Sequence, residues 1–188
     1  PSLIRQPRYL YFLGLVFAIS FALWLGMPLA PNFLQEQWGV SIARVGALSS
    51  VASLGGVALA LSLGGKGPRK ALLALEAAAL GYLVILLNRG ELGWLAMAFF
   101  LQAGGGISRQ FLDAISTRIV RQTQQGLAYA LNGTVGRAAG MAASALAGVL
   151  YAIRPAFPFQ LGLVLIPLVA AITWFFTPQG EGDASKYL

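Results

Sequence analysis

The sequence predicts an all-α membrane protein of six transmembrane helices, on three observations. Of its 188 residues, 57% are hydrophobic and 10% are charged. A soluble domain is about 45–50% apolar and about 25% charged, so this chain has too few charged groups to coat a water-facing globule. The apolar residues fall in long runs, each near the roughly 20 residues that carry a helix across about 30 Å of hydrocarbon at about 1.5 Å per residue. Short polar, Gly- or Pro-bearing segments separate the runs, and no sustained period-two alternation of a membrane barrel is seen.

The elements follow in order. Residues 1–8 are a basic segment expected on the cytoplasmic side. The first span is Tyr9–Pro31, longer than the apolar core of a cleavable signal. After "APNFLQEQWGVS" comes the second, Ala43–Leu63. "GGKGPR" turns the chain into the third, Ala71–Leu87, with Pro68 placed near the helix start where its missing N–H is harmless. "NRGE" precedes the fourth, Leu92–Ala114; "RQTQQG" precedes the fifth, Leu127–Ile153; "RPAFP" precedes the sixth, Phe157–Phe176. Together these form a bundle over 9–176. Residues 177–188, "TPQGEGDASKYL", read as a polar cytoplasmic tail.

A net charge of +7 raises nucleic acid as a partner. The membrane explains the charge better, because basic residues collect in cytoplasmic loops. With the N-terminus inside, Arg5, Arg8, Lys66, Arg69, Lys70, Arg118, Arg121 and Lys186 lie on the inner side, against Arg44, Arg89 and Arg154 outside. The expectation is therefore a multi-pass protein of the plasma or inner membrane, both termini cytoplasmic, with lipid and no nucleic acid as partners. Cys and His are both absent, which removes thiol chemistry, zinc sites and His-based triads. Asp113 is the one aspartate in a span, and Lys66, Lys70 and Lys186 lie in loops or the tail. No catalytic residue, metal site or cofactor is expected, and an enzyme is the least favoured class.

Lipid tails are as apolar as leucine, so spans associate through close contact at small residues. The second span carries Ala52, Gly56, Ala60 and Gly64, and the fifth carries Gly136, Gly140, Ser144, Gly148 and Ala152, each four apart. Gly56, Gly136, Gly140 and Gly148 are read as packing positions. Gly104–Gly106 inside the fourth span weaken the helix by about 1 kcal/mol each relative to alanine, which suggests a bend or a close crossing.

Charges near the bilayer centre cost roughly 2.5–3.5 kcal/mol on insertion scales and need a partner or water. Glu76, Arg109, Asp113 and Arg137 stand out. Arg109 and Asp113 are i,i+4 neighbours able to pair on one face, with Gln102 above them. Two readings follow: an inner-leaflet cluster of Arg109 with Asp113 or Glu76 that holds helix ends, or a gate whose pairs break and reform. Arg137, about 15 Å deep, has no opposite charge at i±3 or i±4. It should face a water-filled cavity or a carboxylate on another helix, with Asn132 and Thr134 nearby. Trp24 is a weaker candidate, more simply an interface anchor.

"LAPNFLQEQWGVSIARVGALSSVASLGGVAL", "GKGPRKALL" and "QQGLAYALNGTVGRAAGMAASALAGVLYA" carry a resemblance to one six-helix half of a major facilitator superfamily transporter. "GKGPRKALL" resembles the end of that family's loop signature, G-x-x-x-D-R-x-G-R-R, in Gly67, Arg69 and Lys70. Gly64 and Gly65 stand where the signature has its aspartate and first arginine, a degradation more typical of the C-terminal half. The resemblance implies a three-plus-three inverted repeat, Tyr9–Leu87 against Leu92–Phe176, and alternating access around a midplane site. It implies that the first and fourth helices line the cavity, which supports Gln102, Arg109 and Trp24. It further implies a partner, the other six-helix half or a second copy, to enclose a small solute. The function expected is half of a secondary transporter, with proton coupling through Glu76 or Asp113 as an option. The alternative is a non-transporting scaffold or assembly factor of the same fold.

Overall fold

The computed structural model describes residue 3 and residues 5–176, the side chain of Phe176 apart. The 177–188 tail lies outside the described residues, as do Pro1, Ser2 and Ile4 of the N-terminal segment. Eight α-helices follow one another among the described residues: α1 (Pro7–Trp24), α2 (Ala30–Trp38), α3 (Ile42–Leu63), α4 (Pro68–Asn88), α5 (Leu92–Gln102), α6 (Gly104–Ile119), α7 (Gln125–Ile153) and α8 (Phe157–Phe176). No strand occurs among the described residues.

Local chemistry sets several boundaries. Pro68 occupies the first turn of α4, where its missing N–H would be unbonded anyway. Gly26, at φ +79°, ends the helix expected over 9–31. A side chain there would be strained, and its Cβ would lie 3.1 Å from the Phe159 ring. The chain turns through Met27–Leu29 and continues as α2. Gly39, at φ +63°, closes α2 with Gly39 N bonded to Gln35 O at 3.2 Å and Val40 N to Leu34 O at 3.1 Å, the left-handed cap in which glycine is favoured.

Among the described residues, five helical segments are long and apolar enough to cross a membrane: Pro7–Trp38, Ile42–Leu63, Pro68–Asn88, Gln122–Ile153 and Phe157–Phe175. The run expected as a fourth continuous span, 92–114, is instead two helices of 11 and 16 residues, joined through Ala103. The break falls where Gly104–Gly106 begin. A Cβ at Gly104 would stand 3.2 Å from Leu75 Cδ2, so α6 starts in close contact with α4.

α4 is central, packed on α5, α6 and α8; α1 packs on α6, α7 and α8; α3 rests on α5 and α6. One core cluster joins Tyr9, Phe12, Ile19, Leu72, Leu86, Phe99, Leu112 and Phe159. α3 and α7 keep apolar faces outward, with Leu61 80% and Val149 63% exposed, as lipid-facing or partner-facing helices do. The small-residue stripes meet neighbours only in part. A Cβ on Gly56 would be 3.7 Å from Ala103 Cβ, but the tightest crossing is one residue earlier, where a Cβ on Gly55 would lie 2.8 Å from Phe100 Cα. On α7, Gly136 lies against Ser20 and Gly140 against Trp24, while nothing lies within 4 Å of a Cβ on Gly148. The fully buried seam of α7 is Ala128, Asn132, Ala139, Ala143 and Ala147.

Candidate functional site

One stripe from each of three helices bounds a groove of about 640 Å³. α1 contributes Val16, Ser20 and Trp24 at spacing four. α6 contributes Gly105, Arg109 and Asp113 at the same spacing, with Gly106, Ser108 and Leu112 beside them. α7 contributes Asn132, Gly136, Gly140 and Ser144, flanked by Arg137 and Met141. Four residues are close to one helical turn, so neighbours within each set lie on nearly the same side of their helix. The glycines keep the walls back, and the polar groups stand between them.

A polar relay beside the groove links α1, α7 and α6. Tyr9 Oη donates to Asn132 Oδ1 at 3.2 Å, sharing its proton with Ala128 O at 3.1 Å. Asn132 Nδ2 donates to Asp113 Oδ1 at 3.3 Å. Asn132 is 3% exposed, so this network satisfies an amide that would be costly to bury alone.

Arg109 forms no ion pair with Asp113, the partner that helical spacing offered. Its Nη2 crosses to α7 and sits over Gly133, 2.9 Å from where a Cβ would stand. Asn132 takes Asp113 instead. Arg137 also lines the groove without a carboxylate partner among the described residues. The groove thus presents two guanidinium groups and one carboxylate that is already hydrogen-bonded.

Of the residues singled out from sequence, Trp24, Arg109, Asp113, Asn132 and Arg137 come together here. Gln102 ends α5, half-buried, outside the lining. Glu76 is not in the groove and does not join Arg109. It is 1% exposed on α4 and faces α8, where Thr173 Oγ1 donates to its Oε1 at 2.7 Å; its Oε2 is buried without a partner. Thr134 donates to the Ala130 carbonyl of its own helix. Ser20, Ser108 and Tyr9 were not singled out, and Ser144 was read only as part of the small-residue stripe of the fifth span. The i,i+4 repeat Val16–Ser20–Trp24 was a readable signal, whereas a bond between Tyr9 and Asn132, 123 positions apart, leaves none. In the loop signature, Gly67 is the N-cap of α4, Lys70 is exposed, and Arg69 is buried with its guanidinium stacked 4.0 Å over Trp174.

Fold and groove together define a membrane-embedded, multi-pass protein, all-helical among the described residues, with a largely apolar groove between three helices that carries two arginines. No family model, no curated protein and no solved structure matches the chain.

Proposed function

We propose that the chain is one six-helix half, of the C-terminal type, of a secondary transporter of the major facilitator kind, with α5 and α6 together forming a broken fourth span. It works by alternating access in the plasma or inner membrane, both termini cytoplasmic. The observation that carries the reading is the groove, in which Arg109 and Arg137 stand exposed without carboxylate partners on walls of α1, α6 and α7. In hydrocarbon such charges are found facing water or a ligand. The first and fourth spans of the resemblance supply two of the three walls. The groove is open, so another six-helix half or a second copy must close it before a solute can be occluded.

Two guanidinium groups against one engaged carboxylate favour an anionic or amphiphilic small solute. A charge-assisted hydrogen bond contributes about 1.5–3 kcal/mol, so Arg137→Ala or Arg109→Ala should weaken binding about ten- to hundredfold. The test is uptake by proteoliposomes holding the complete carrier, with a panel of radiolabelled small carboxylates and organic phosphates. Saturable uptake that falls in both variants supports the reading. Unchanged uptake in both removes the groove from the pathway. No flux of any solute, with a protein partner co-purifying stoichiometrically, replaces the transporter with a scaffold.

A further inference from the structure

The start of α4 carries a second polar site, on a different part of the molecule from the groove. Gly67, its N-cap, has no side chain to cap the helix, and Pro68 has no N–H. The first amide to bond back is Ala71 N, to Gly67 O at 3.1 Å. The N–H groups of Arg69 and Lys70 therefore lie in the first turn, where helices leave donors open and the dipole favours negative charge.

Arg69 supplies an independent observation. It is 8% exposed, and its Nε is shut off from solvent with no hydrogen-bond partner. Its guanidinium lies 4.0 Å over the Trp174 ring. Stacking on an indole face satisfies the charge in part; Nε is sealed beneath it, so the terminal N–H groups, which meet no acceptor among the described residues, are the donors left for a ligand. No carboxylate of the described residues pairs with it. A buried guanidinium with open donors is an expensive arrangement unless an acceptor fills it. Lys66 and Lys70, both exposed, flank the same turn.

An oxyanion with several acceptor oxygens fits these donors. The planar guanidinium fork matches phosphate, lysine adds point charge, and helix N-termini hold phosphates. The surroundings select the source of that phosphate. Trp174 and Phe175 are exposed in the last turn of α8, an apolar strip beside the cations. Tryptophan and basic residues at a span's end mark headgroup depth. An occupant with an anionic head and apolar tails matches both parts.

We propose that the uncapped start of α4, with Arg69 and Lys70, binds the phosphate of an anionic phospholipid whose chains lie along the exposed end of α8. The site stands apart from the groove and does not depend on transport.

The test is native mass spectrometry of the detergent-purified chain with three probes: phosphatidylglycerol, a glucosyl diacylglycerol of the same acyl chains, and inorganic phosphate. Phosphatidylglycerol should be retained and should raise the thermal midpoint, the glycolipid should do neither, and phosphate alone should not displace the phospholipid. Because the donors are charge-assisted, Arg69→Gln should lower the retained fraction about tenfold and Lys70→Gln by a smaller factor, about threefold. Lys70 is exposed, so its variant carries the test if Arg69→Gln does not fold. Equal retention of the glycolipid, or retention unchanged in Lys70→Gln and in any folded Arg69→Gln, overturns the site. Phosphate binding without phospholipid retention overturns the lipid and leaves a free-phosphate site.

Discussion

Asn132 links three helices through one amide, accepting from Tyr9 on α1 and donating to Asp113 on α6. Interhelical hydrogen bonds in membranes average about 0.6 kcal/mol, but a buried group left unpaired costs about 1–3 kcal/mol. Asn132→Leu, which strips Asp113 of its amide donor, should destabilise the protein by about 1–3 kcal/mol. Tyr9→Phe removes only a donor, leaves Asn132 bonded to Asp113, and should cost about 0.5–1 kcal/mol. Thermal unfolding in detergent ranks the two, and the reverse order would show that packing at Tyr9 outweighs the network. The same logic applies at Glu76, whose only side-chain donor among the described residues is Thr173. Thr173→Ser keeps the hydroxyl and should be nearly neutral, while Thr173→Val leaves both carboxyl oxygens unbonded and should cost about 1–3 kcal/mol. Equal melting of Ser and Val variants would show that the hydroxyl contributes nothing. Residue types were legible at this scale: charges and amides are rare in hydrocarbon, so Arg109, Asp113, Asn132, Arg137 and Glu76 stood out. Their partners were not. Spacing along one helix offered Asp113 to Arg109, but the choice between a neighbour four residues away and an amide 19 residues away is made by packing.

At the scale of elements, small residues at spacing four are a drifting guide. Four residues turn a helix by about 400°, so each step moves the stripe about 40° around the axis. Over four steps from Gly136 to Ala152 the stripe leaves the contact face, which explains why Gly136 and Gly140 meet α1 and Gly148 meets nothing within 4 Å. The same drift hid the real crossing on α3. Gly55 approaches the backbone of Phe100, which cannot swing aside as a side chain can, whereas Gly56 has ordinary room. Gly55→Val should therefore destabilise by about 1–3 kcal/mol or more, and Gly56→Ala should be neutral or stabilising by about 0.4–1 kcal/mol through the unfolded chain. Denaturant or thermal unfolding of the two, side by side, checks this, and comparable losses at both positions would refute the register. The break at Ala103 follows similar physics. The glycine triple was readable as a weak point, but that it splits the segment into an 11-residue and a 16-residue helix depends on Gly104 meeting Leu75.

The whole molecule sets which helix ends lie together. Tyr9 bonds to Ala128 and Arg69 stacks on Trp174, which groups the starts of α1, α4 and α7 with the end of α8. At the other end, Trp38 Nε1 donates to Leu86 O at 3.0 Å, Tyr151 Oη donates to Glu36 Oε2 at 2.7 Å, and the Phe33 and Phe159 rings lie 4.7 Å apart. α4 ends beside Trp38, and α7 begins beside Tyr9. The chain between them, α5 and α6, therefore has to travel from one end of the bundle to the other. Hydropathy made six apolar runs legible; among the described residues five helical segments are long enough to cross by themselves, and neither α5 with 11 residues nor α6 with 16 is one of them. The expectation is that the pair crosses the membrane as one unit, the face that carries Arg109 and Asp113 turned to the groove and its shortened halves sheltered by α3 and α4. The chain contains no cysteine, so single-cysteine variants report cleanly. Glu91→Cys and Arg154→Cys should react with a membrane-impermeant maleimide from one side, and Lys66→Cys and Gln122→Cys from the other, the inner side by the distribution of basic residues. Reaction of Glu91→Cys and Gln122→Cys from the same side would mean that α5 and α6 form a re-entrant pair. The chain would then cross five times, and the groove would lack the full-length wall that alternating access requires.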